Sequence, residues 1–118
     1  MLVVEDEPIL RIDALDMVEE AGFEPVESTS VEDAIRILTE RPDIRIVYMD
    51  LDMPRGIKGI EIAACIRDRW PPIEIILTGA FFLEADLTLP VRAEFFPKPA
   101  QYSEITAAMH RMTEHLQG

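Results

Sequence analysis

Short apolar segments alternate with helically spaced apolar positions along the chain. The first segment, Leu2–Val4, is followed directly by acidic residues, which is typical of a buried strand that ends at a polar rim. From Pro8 the apolar residues recur with the period of one helix face, and Gly22 is typical of a helix end. The apolar stripe consists of Leu10, Ala14, Met17, Val18 and Ala21. The start of the chain therefore predicts a strand followed by an amphipathic helix.

A second strand and a second helix are predicted next. The segment 23–28 has a weaker strand pattern, and Pro25 indicates that this strand lies at a sheet edge. The sequence SVED at Ser30–Asp33 has the spacing of a capping box, which predicts a helix start. The buried side of this helix is predicted to contain Val31, Ala34, Ile35 and Leu38.

The same alternation continues through the rest of the chain. Runs of β-branched and aromatic residues predict strands at 44–49, 73–77 and 93–96. A third helix is predicted from Ile60 to the stop at Trp70–Pro72, and the segment 81–90 fits a short helix interrupted by Pro90. The last helix carries the apolar stripe Ile105, Ala108, Met109, Met112 and Leu116.

This order of elements predicts an α/β fold. Parallel strands need crossover connections, so repeated strand–helix units give a parallel sheet with helices on both faces. A chain of 118 residues suits one domain, which we place at residues 1–118. In such sheets the ligand site lies beyond the carboxyl ends of the strands. The residues that directly follow each strand are therefore the candidate functional residues.

The charge of the chain limits its partners. With 23 acidic and 11 basic residues the formal net charge is −12, which disfavours binding to nucleic acid or to an anionic membrane. The excess favours a cation or a basic protein surface, although acidic residues also serve simply to keep a domain in solution. No apolar run approaches the ~20 residues of a membrane span and no secretory signal is evident, so a cytoplasmic protein is expected. The lone Cys65 predicts a core thiol in a reducing compartment.

Acidic side chains follow two strands that are expected to be neighbours. Glu5 and Asp6 come after the first strand, and Asp50 and Asp52 come after the third. Hard oxygen ligands at one place select Mg²⁺, Mn²⁺ or Ca²⁺, and without a cation such carboxylates would raise one another's pKa. The alternative is that the acids up to Glu7 only favour a helix start through the helix dipole. Their combination with the second acidic pair favours a metal site.

A hydroxyl and an amine complete the predicted site. Thr78 follows the fourth strand, although a single Thr is also common as a turn residue. Lys98 lies between two prolines after the fifth strand, where we expect an ion pair with carboxylates rather than a solvated surface side chain. The Lys98–Pro99 bond is also a plausible cis peptide. A cation, a hydroxyl and an attacking aspartate are the groups that phosphoryl transfer to a carboxylate requires.

The sequences VVEDE, DLDMP, ILTGA and FFPKP occur in this order at the predicted strand ends. With them the chain resembles the receiver domains of bacterial two-component response regulators over essentially its whole length, and it is similar to the stand-alone type. The resemblance implies a flavodoxin-like, doubly wound, five-stranded parallel sheet in the strand order 2-1-3-4-5.

The resemblance also implies a role for each acidic residue. Asp50 is expected to be the phosphoacceptor and to contact Mg²⁺, which Mn²⁺ can replace. Asp6 is expected to bind the metal directly, and Glu5 to act beside it through water. Asp52 is expected to give the metal its backbone carbonyl.

The phosphoryl oxygens would be contacted by Thr78 and Lys98, and Phe95 occupies the family's aromatic switch position. Phe95 has no hydroxyl, so a switch that depends on a Tyr–Thr hydrogen bond cannot operate with this residue. Two further departures are a loop before Gly59 that is one residue longer than usual, and Pro90 in a segment that the family uses for output.

The function implied by the resemblance is signal transduction by phosphorelay. The phosphoryl group would come from a sensor histidine kinase or a phosphotransfer protein, and phosphorylation would change the contacts with a downstream protein. Weak intrinsic autophosphorylation and autodephosphorylation are expected, not the turnover of an enzyme. Phe81–Leu83 indicate a partner or homodimer contact, or equally a cover for the end of the core.

Two other functions are compatible with parts of the pattern. In a phosphatase of the haloacid dehalogenase type, Asp50 would be the nucleophile and Asp52 the general acid. Pro54 opposes this alternative, as does the absence of an acid pair outside the last helix after Lys98. The second alternative is an interaction module that keeps the fold without phosphorylation, and the intact set of strand-end residues opposes it.

Overall fold

The predicted alternation of strands and helices is present in the computed structural model, which describes residues 1–52, 59–80, 92–99 and 101–114. The strands are β1 (Leu2–Val4), β2 (Val26–Ser28), β3 (Ile46–Asp50), β4 (Glu74–Gly79) and β5 (Ala93–Pro97). The helices are α1 (Pro8–Glu20), α2 (Val31–Glu40), α3 (Gly59–Arg69) and α4 (Tyr102–Thr113). None of the helices in these ranges is long and apolar enough to span a membrane.

The strands form one parallel sheet in the order β2-β1-β3-β4-β5, which confirms the predicted flavodoxin-like fold. Pro25 immediately precedes the edge strand β2, as predicted. The register sets Asp50 level with Thr78, and Val4 level with Met49. The carboxyl ends of β1, β3 and β4 therefore reach the same edge of the sheet.

Successive strand residues point to opposite faces of the sheet, and this divides the core into two layers. Val47, Met49 and Leu77 belong to the layer under α2 and α3, together with Phe95 of β5. The layer under α1 and α4 contains Val3, Ile46, Ile76, Ala14, Met17, Val18, Ile105, Ala108, Met109 and Met112. Tyr48 packs against this second layer, so by alternation Asp50 faces the same side of the sheet.

The helix starts follow from local hydrogen bonds. The Glu7 carboxylate accepts a bond from the Leu10 main-chain N–H at 2.7 Å and caps α1 ahead of Pro8. The Ser30 hydroxyl accepts from the Asp33 N–H at 3.1 Å and caps α2, as the SVED spacing predicts. The second hydrogen bond of the capping box differs from the usual pattern. The Asp33 carboxylate accepts from the main-chain N–H of Thr29 and not from that of the cap residue Ser30.

Two predictions about burial are wrong, and one buried residue was not predicted. Cys65 is exposed on α3, because the buried positions of that helix are Ala63 and Ile66. Leu10, in the first turn of α1, is 44% exposed. Ile37 is buried in α2 but was not part of the predicted stripe.

Several predictions concern residues outside the described ranges. They are the longer loop before Gly59, the apolar run at Phe81–Leu83, the interruption at Pro90 and the last position of the final stripe, Leu116. The start of α3 at Gly59 and the cis Lys98–Pro99 peptide agree with the sequence patterns.

Candidate functional site

Side chains from four strand ends converge at the carboxyl edge of the sheet. Glu5, Asp50, Thr78 and Lys98 line a cavity of about 460 Å³ that lies between α1 and α4. On its outer side, Asp6 and Asp52 join Glu5, Asp50 and Lys98 around a cleft of about 520 Å³. The structure thus brings together every predicted site residue except Phe95, which packs in the core layer under α2 and α3.

Lys98 forms the central ion pair of the site. Its Nζ lies 2.7 Å from Asp50 Oδ2 and 3.1 Å from Asp52 Oδ2. Burial lowers the pKa of Lys98, but the hydrogen bonds to Asp50 and Asp52 outweigh this effect and the pKa lies above its ordinary value. The sequence prediction of a carboxylate-paired lysine is therefore confirmed, and the ammonium is present over the whole neutral pH range.

Asp50 and Glu5 form a second, tightly coupled pair, and each is only 3% exposed. Burial and a hydrogen bond to Asp50 raise the pKa of Glu5 to about 8. Burial alone would raise the pKa of Asp50, but the hydrogen bonds with Glu5 and Lys98 hold it below its ordinary value. At neutral pH the pair therefore keeps one proton on Glu5 and leaves Asp50 as the carboxylate, the form that can act as a nucleophile.

Asp52 links three strand ends. Its main-chain N–H donates to Asp50 Oδ1 at 2.8 Å. Its carboxylate turns towards β4, where Oδ1 and Oδ2 accept from the Ala80 N–H at 3.0 and 2.8 Å, and it also pairs with Lys98. The two aspartates at the end of β3 therefore have different environments, since Asp50 is the one that pairs with Glu5.

The acidic segment after β1 has two separate tasks. Glu7 caps α1, so the alternative of an acidic helix start is correct for this residue. Glu5 points into the site, and Glu5 Oε1 accepts from the Glu7 N–H at 3.0 Å. Arg11, which the sequence analysis did not single out, donates to the main-chain carbonyls of Glu5 and Asp6 at 3.1 and 3.3 Å and pairs with Glu27. Its position one helical turn after Glu7 is the only sequence signal for this role.

Thr78 carries an unsatisfied hydroxyl. The residue is 1% exposed, and its Oγ1 makes no hydrogen bond with any described residue. A buried polar group without a partner costs about 1–3 kcal/mol, so its presence needs a reason. Tyr48 lies beside this hydroxyl; burial raises the pKa of Tyr48 to about 12, while Thr78 acts in the opposite direction. The phenol therefore keeps its proton at neutral pH.

The oxygen-rich cleft fits a hard divalent cation. Mg²⁺ typically uses one or two carboxylates and completes its coordination with water and substrate oxygens. The side chains of Asp50 and Glu5 are adjacent, and Asp6 lines the same cleft. No three acidic, His or Cys side chains are already grouped as a metal cage in the described ranges. Protein side chains would therefore supply only part of the coordination, as Mg²⁺ prefers.

The sequence matches the family described as the response regulator receiver domain over residues 1–110. Among related proteins, it is 31% identical to a protein-glutamate methylesterase/protein-glutamine glutaminase of Natronomonas pharaonis, over 98% of this chain and 33% of that protein. It is 30% identical to the transcriptional regulatory protein PdtaR of Mycobacterium tuberculosis, over 92% of this chain and 54% of that protein. The chain thus spans between a third and about half of the length of these relatives.

Solved structures agree on the fold. A response regulator receiver domain protein from Clostridium thermocellum superposes with a TM-score of 0.85 at 23% identity, covering 98% of this chain and 94% of that one. A receiver protein from Sinorhizobium medicae superposes with a TM-score of 0.81 at 23% identity, covering 94% and 90%. Receiver domains take part in phosphorelay signalling, interact with histidine kinases and downstream targets, and generally bind Mg²⁺. On the family match and the strand-end geometry together, this chain belongs to the response regulator receiver domain family.

Proposed function

We propose that this protein is the phosphoacceptor of a two-component pathway and that Asp50 receives the phosphoryl group. The observation that carries the proposal is the environment of Asp50, a buried carboxylate at the end of β3 whose Oδ2 lies 2.7 Å from Lys98 Nζ. The donor is the phosphohistidine of a histidine kinase or phosphotransfer protein, and the site requires a divalent cation, Mg²⁺ or Mn²⁺.

The transfer forms one bond and breaks one bond. A carboxylate oxygen of Asp50 attacks phosphorus, and the phosphorus–nitrogen bond to the donor imidazole breaks. The imidazole leaves with the bonding electron pair and takes up a proton, and an aspartyl phosphate remains. Lys98 offsets the negative charge of the phosphoryl oxygens, and Thr78 donates its hydroxyl to one of them. When bound by Glu5, Asp6, Asp50 and the Asp52 carbonyl, the cation supplies further charge neutralisation.

Attack of water on the aspartyl phosphate returns the resting protein. The proposal therefore includes slow autodephosphorylation and no turnover of an external substrate. The contacts of Asp52 weigh against the alternative of a phosphatase, because a general acid must offer a proton whereas the Asp52 carboxylate accepts from Lys98 and Ala80.

A partner surface adjoins the site on α1. Ile9 and Ile12 are 68% and 56% exposed, and Leu10 lines the cavity that holds Asp50. Large apolar side chains exposed this close to the phosphoacceptor support contact with the phosphodonor protein. The proposal also includes a downstream protein target and homodimerisation through Phe81–Leu83. It further includes a cytoplasmic location and a single domain over residues 1–118.

The test is incorporation of phosphate from acetyl phosphate or a cognate kinase in the presence of Mg²⁺. Asp50→Asn is expected to abolish the acid-stable, hydroxylamine-labile label, and EDTA to suppress it in the unchanged protein. Asp52→Asn is the matched control, because it removes the neighbouring carboxylate and keeps the nucleophile. Label that persists in Asp50→Asn contradicts the assignment. A phosphatase would instead show multiple turnovers that Asp52→Asn stops.

A further inference from the structure

The chain has two tyrosines, and both line the cavity beside Asp50. Tyr102 is 52% exposed at the start of α4. Tyr48 belongs to β3, is partly buried and packs against the core layer under α1 and α4. Only Tyr48 is held by the sheet itself, two residues before the phosphoacceptor and on the same face.

The register brings the Tyr48 phenol to Thr78. Tyr48 is level with Ile76 on β4, and Asp50 is level with Thr78. A long aromatic side chain reaches the diagonal position on the neighbouring strand, which here is Thr78. Both residues line the same cavity, and the Thr78 hydroxyl is buried without a hydrogen bond to any described residue.

A threonine hydroxyl donates one hydrogen bond, and its oxygen can also accept one. If Thr78 gives its proton to a phosphoryl oxygen, its own oxygen is left as a buried acceptor, and a neighbouring donor would satisfy it. The Tyr48 phenol is such a donor, and it lines the same cavity from the diagonal position on β3. Phe95 cannot serve, because it has no hydroxyl and packs on the opposite face of the sheet.

We propose that Tyr48 is a positioning residue of the phosphoryl site, whose hydroxyl donates to Thr78 Oγ1 and so directs the Thr78 proton towards the phosphoryl group. The inference rests on the proposed function, since it assigns Tyr48 a role in that same site. The aromatic residue that responds to phosphorylation in this chain is therefore Tyr48 on β3 and not Phe95 on β5.

The first test is a double-mutant cycle read by beryllofluoride affinity in the presence of Mg²⁺. Tyr48→Phe is expected to weaken the affinity about three- to tenfold, the size of one net hydrogen bond. In a Thr78→Val background the same change is expected to have no further effect, because the partner hydroxyl is gone. Tyr102→Phe, which removes the other phenol of the cavity, is expected to leave the affinity unchanged. Wild-type affinity in Tyr48→Phe, or a loss that persists undiminished in the Thr78→Val background, overturns the proposal.

The second test needs no substitution at Tyr48 and separates this proposal from the proposed function. With tyrosine labelled at the ring carbon that bears the hydroxyl, the Tyr48 signal is expected to shift when Mg²⁺ and beryllofluoride bind, while the Tyr102 signal stays. A stationary Tyr48 signal in a protein that binds beryllofluoride overturns the role of Tyr48 alone. A protein that neither binds beryllofluoride nor labels at Asp50 refutes the proposed function. In that case the role of Tyr48 in the phosphoryl site is refuted with it.

Discussion

Two buried hydroxyls of this sheet are in opposite hydrogen-bonding states. Ser28 on β2 is fully buried, and its Oγ donates to the Val3 carbonyl at 2.8 Å. Thr78 on β4 is equally buried, yet its Oγ1 bonds to no described residue. A group that lowers stability and lies beside Asp50 in the same cavity is typical of a residue kept for function.

Replacing these hydroxyls is expected to have effects of opposite sign. Thr78→Val removes an unsatisfied polar group at nearly constant shape and is expected to raise the free energy of unfolding by about 1 kcal/mol. Ser28→Ala removes a satisfied bond and leaves the Val3 carbonyl without this donor, so it is expected to lower that free energy by about 1 kcal/mol or more. Urea denaturation of both variants measures the difference. A loss of stability in Thr78→Val comparable to that in Ser28→Ala would show that Thr78 is bonded in solution.

At this scale the sequence predicts which residues lie together at the site but not their protonation states. Asp50, Thr78 and Lys98 are predictable because parallel strands end at one edge of a sheet. The proton on Glu5 depends on burial and on the distance to Asp50, which only the folded chain defines. The diagonal placement of Tyr48 and Thr78 on β3 and β4 depends on strand register, and a Tyr two residues before an Asp does not by itself indicate it.

At the scale of the elements, α2 shows how much a helix end depends on one side chain. Its start has the Ser30 hydroxyl as cap, with the Asp33 carboxylate bonded one residue further out, to the Thr29 N–H. Arg36 pairs with Asp33 on the exposed face of the helix. Because that pair is exposed, the cap is expected to contribute more to stability than the pair does.

Ser30→Ala is therefore expected to lower the free energy of unfolding by about 1 kcal/mol, and Ser30→Gly by only a few tenths of a kcal/mol. Ser103→Ala is the control, because Ser103 is an exposed serine within the first turn of α4 and does not cap it. Chemical denaturation of the three variants gives the comparison. Equal stability of Ser30→Ala and Ser103→Ala would contradict the role of the cap.

The elements themselves were largely predictable, and the two errors about burial have different causes. Hydrophobic period located every strand and helix of the described ranges. The error at Leu10 arises because the period says which residues share a helix face but not how far the core extends beneath that face. The error at Cys65 arises because that prediction rested on a lone thiol and not on the period. Leu10 lines the cavity at the carboxyl edge of the sheet, and Cys65 is exposed beside the buried residues of α3.

At the scale of the whole molecule, the formal charge of −12 and the carboxylates gathered at the site both favour stabilisation of the folded protein by a bound cation. Folding brings Glu5, Asp50 and Asp52 around one ammonium, that of Lys98. A cation that binds only the folded protein raises its stability by mass action. Monovalent salt acts differently, because it only screens exposed charges.

Mg²⁺ is therefore expected to raise the melting temperature saturably, by the equivalent of about 2.7 kcal/mol at 100 times the dissociation constant. NaCl at the same ionic strength is expected to give a smaller change that does not saturate. Asp50→Asn is expected to reduce the Mg²⁺ effect, and Glu40→Gln, which removes an exposed acid of α2, to leave it intact. Thermal unfolding at several Mg²⁺ concentrations decides the point. An equal response of the two variants would place the cation elsewhere.

The anchoring of Asp52 also bears on how receiver sequences can diverge. Asp52 is tied to Asp50, Ala80 and Lys98 before the connection to α3 begins, and the extra residue inferred from the sequence falls downstream of it. Changes of sequence beyond Asp52 are therefore expected to leave Asp50 in place, because the end of β3 is held by bonds that do not depend on the residues after Asp52.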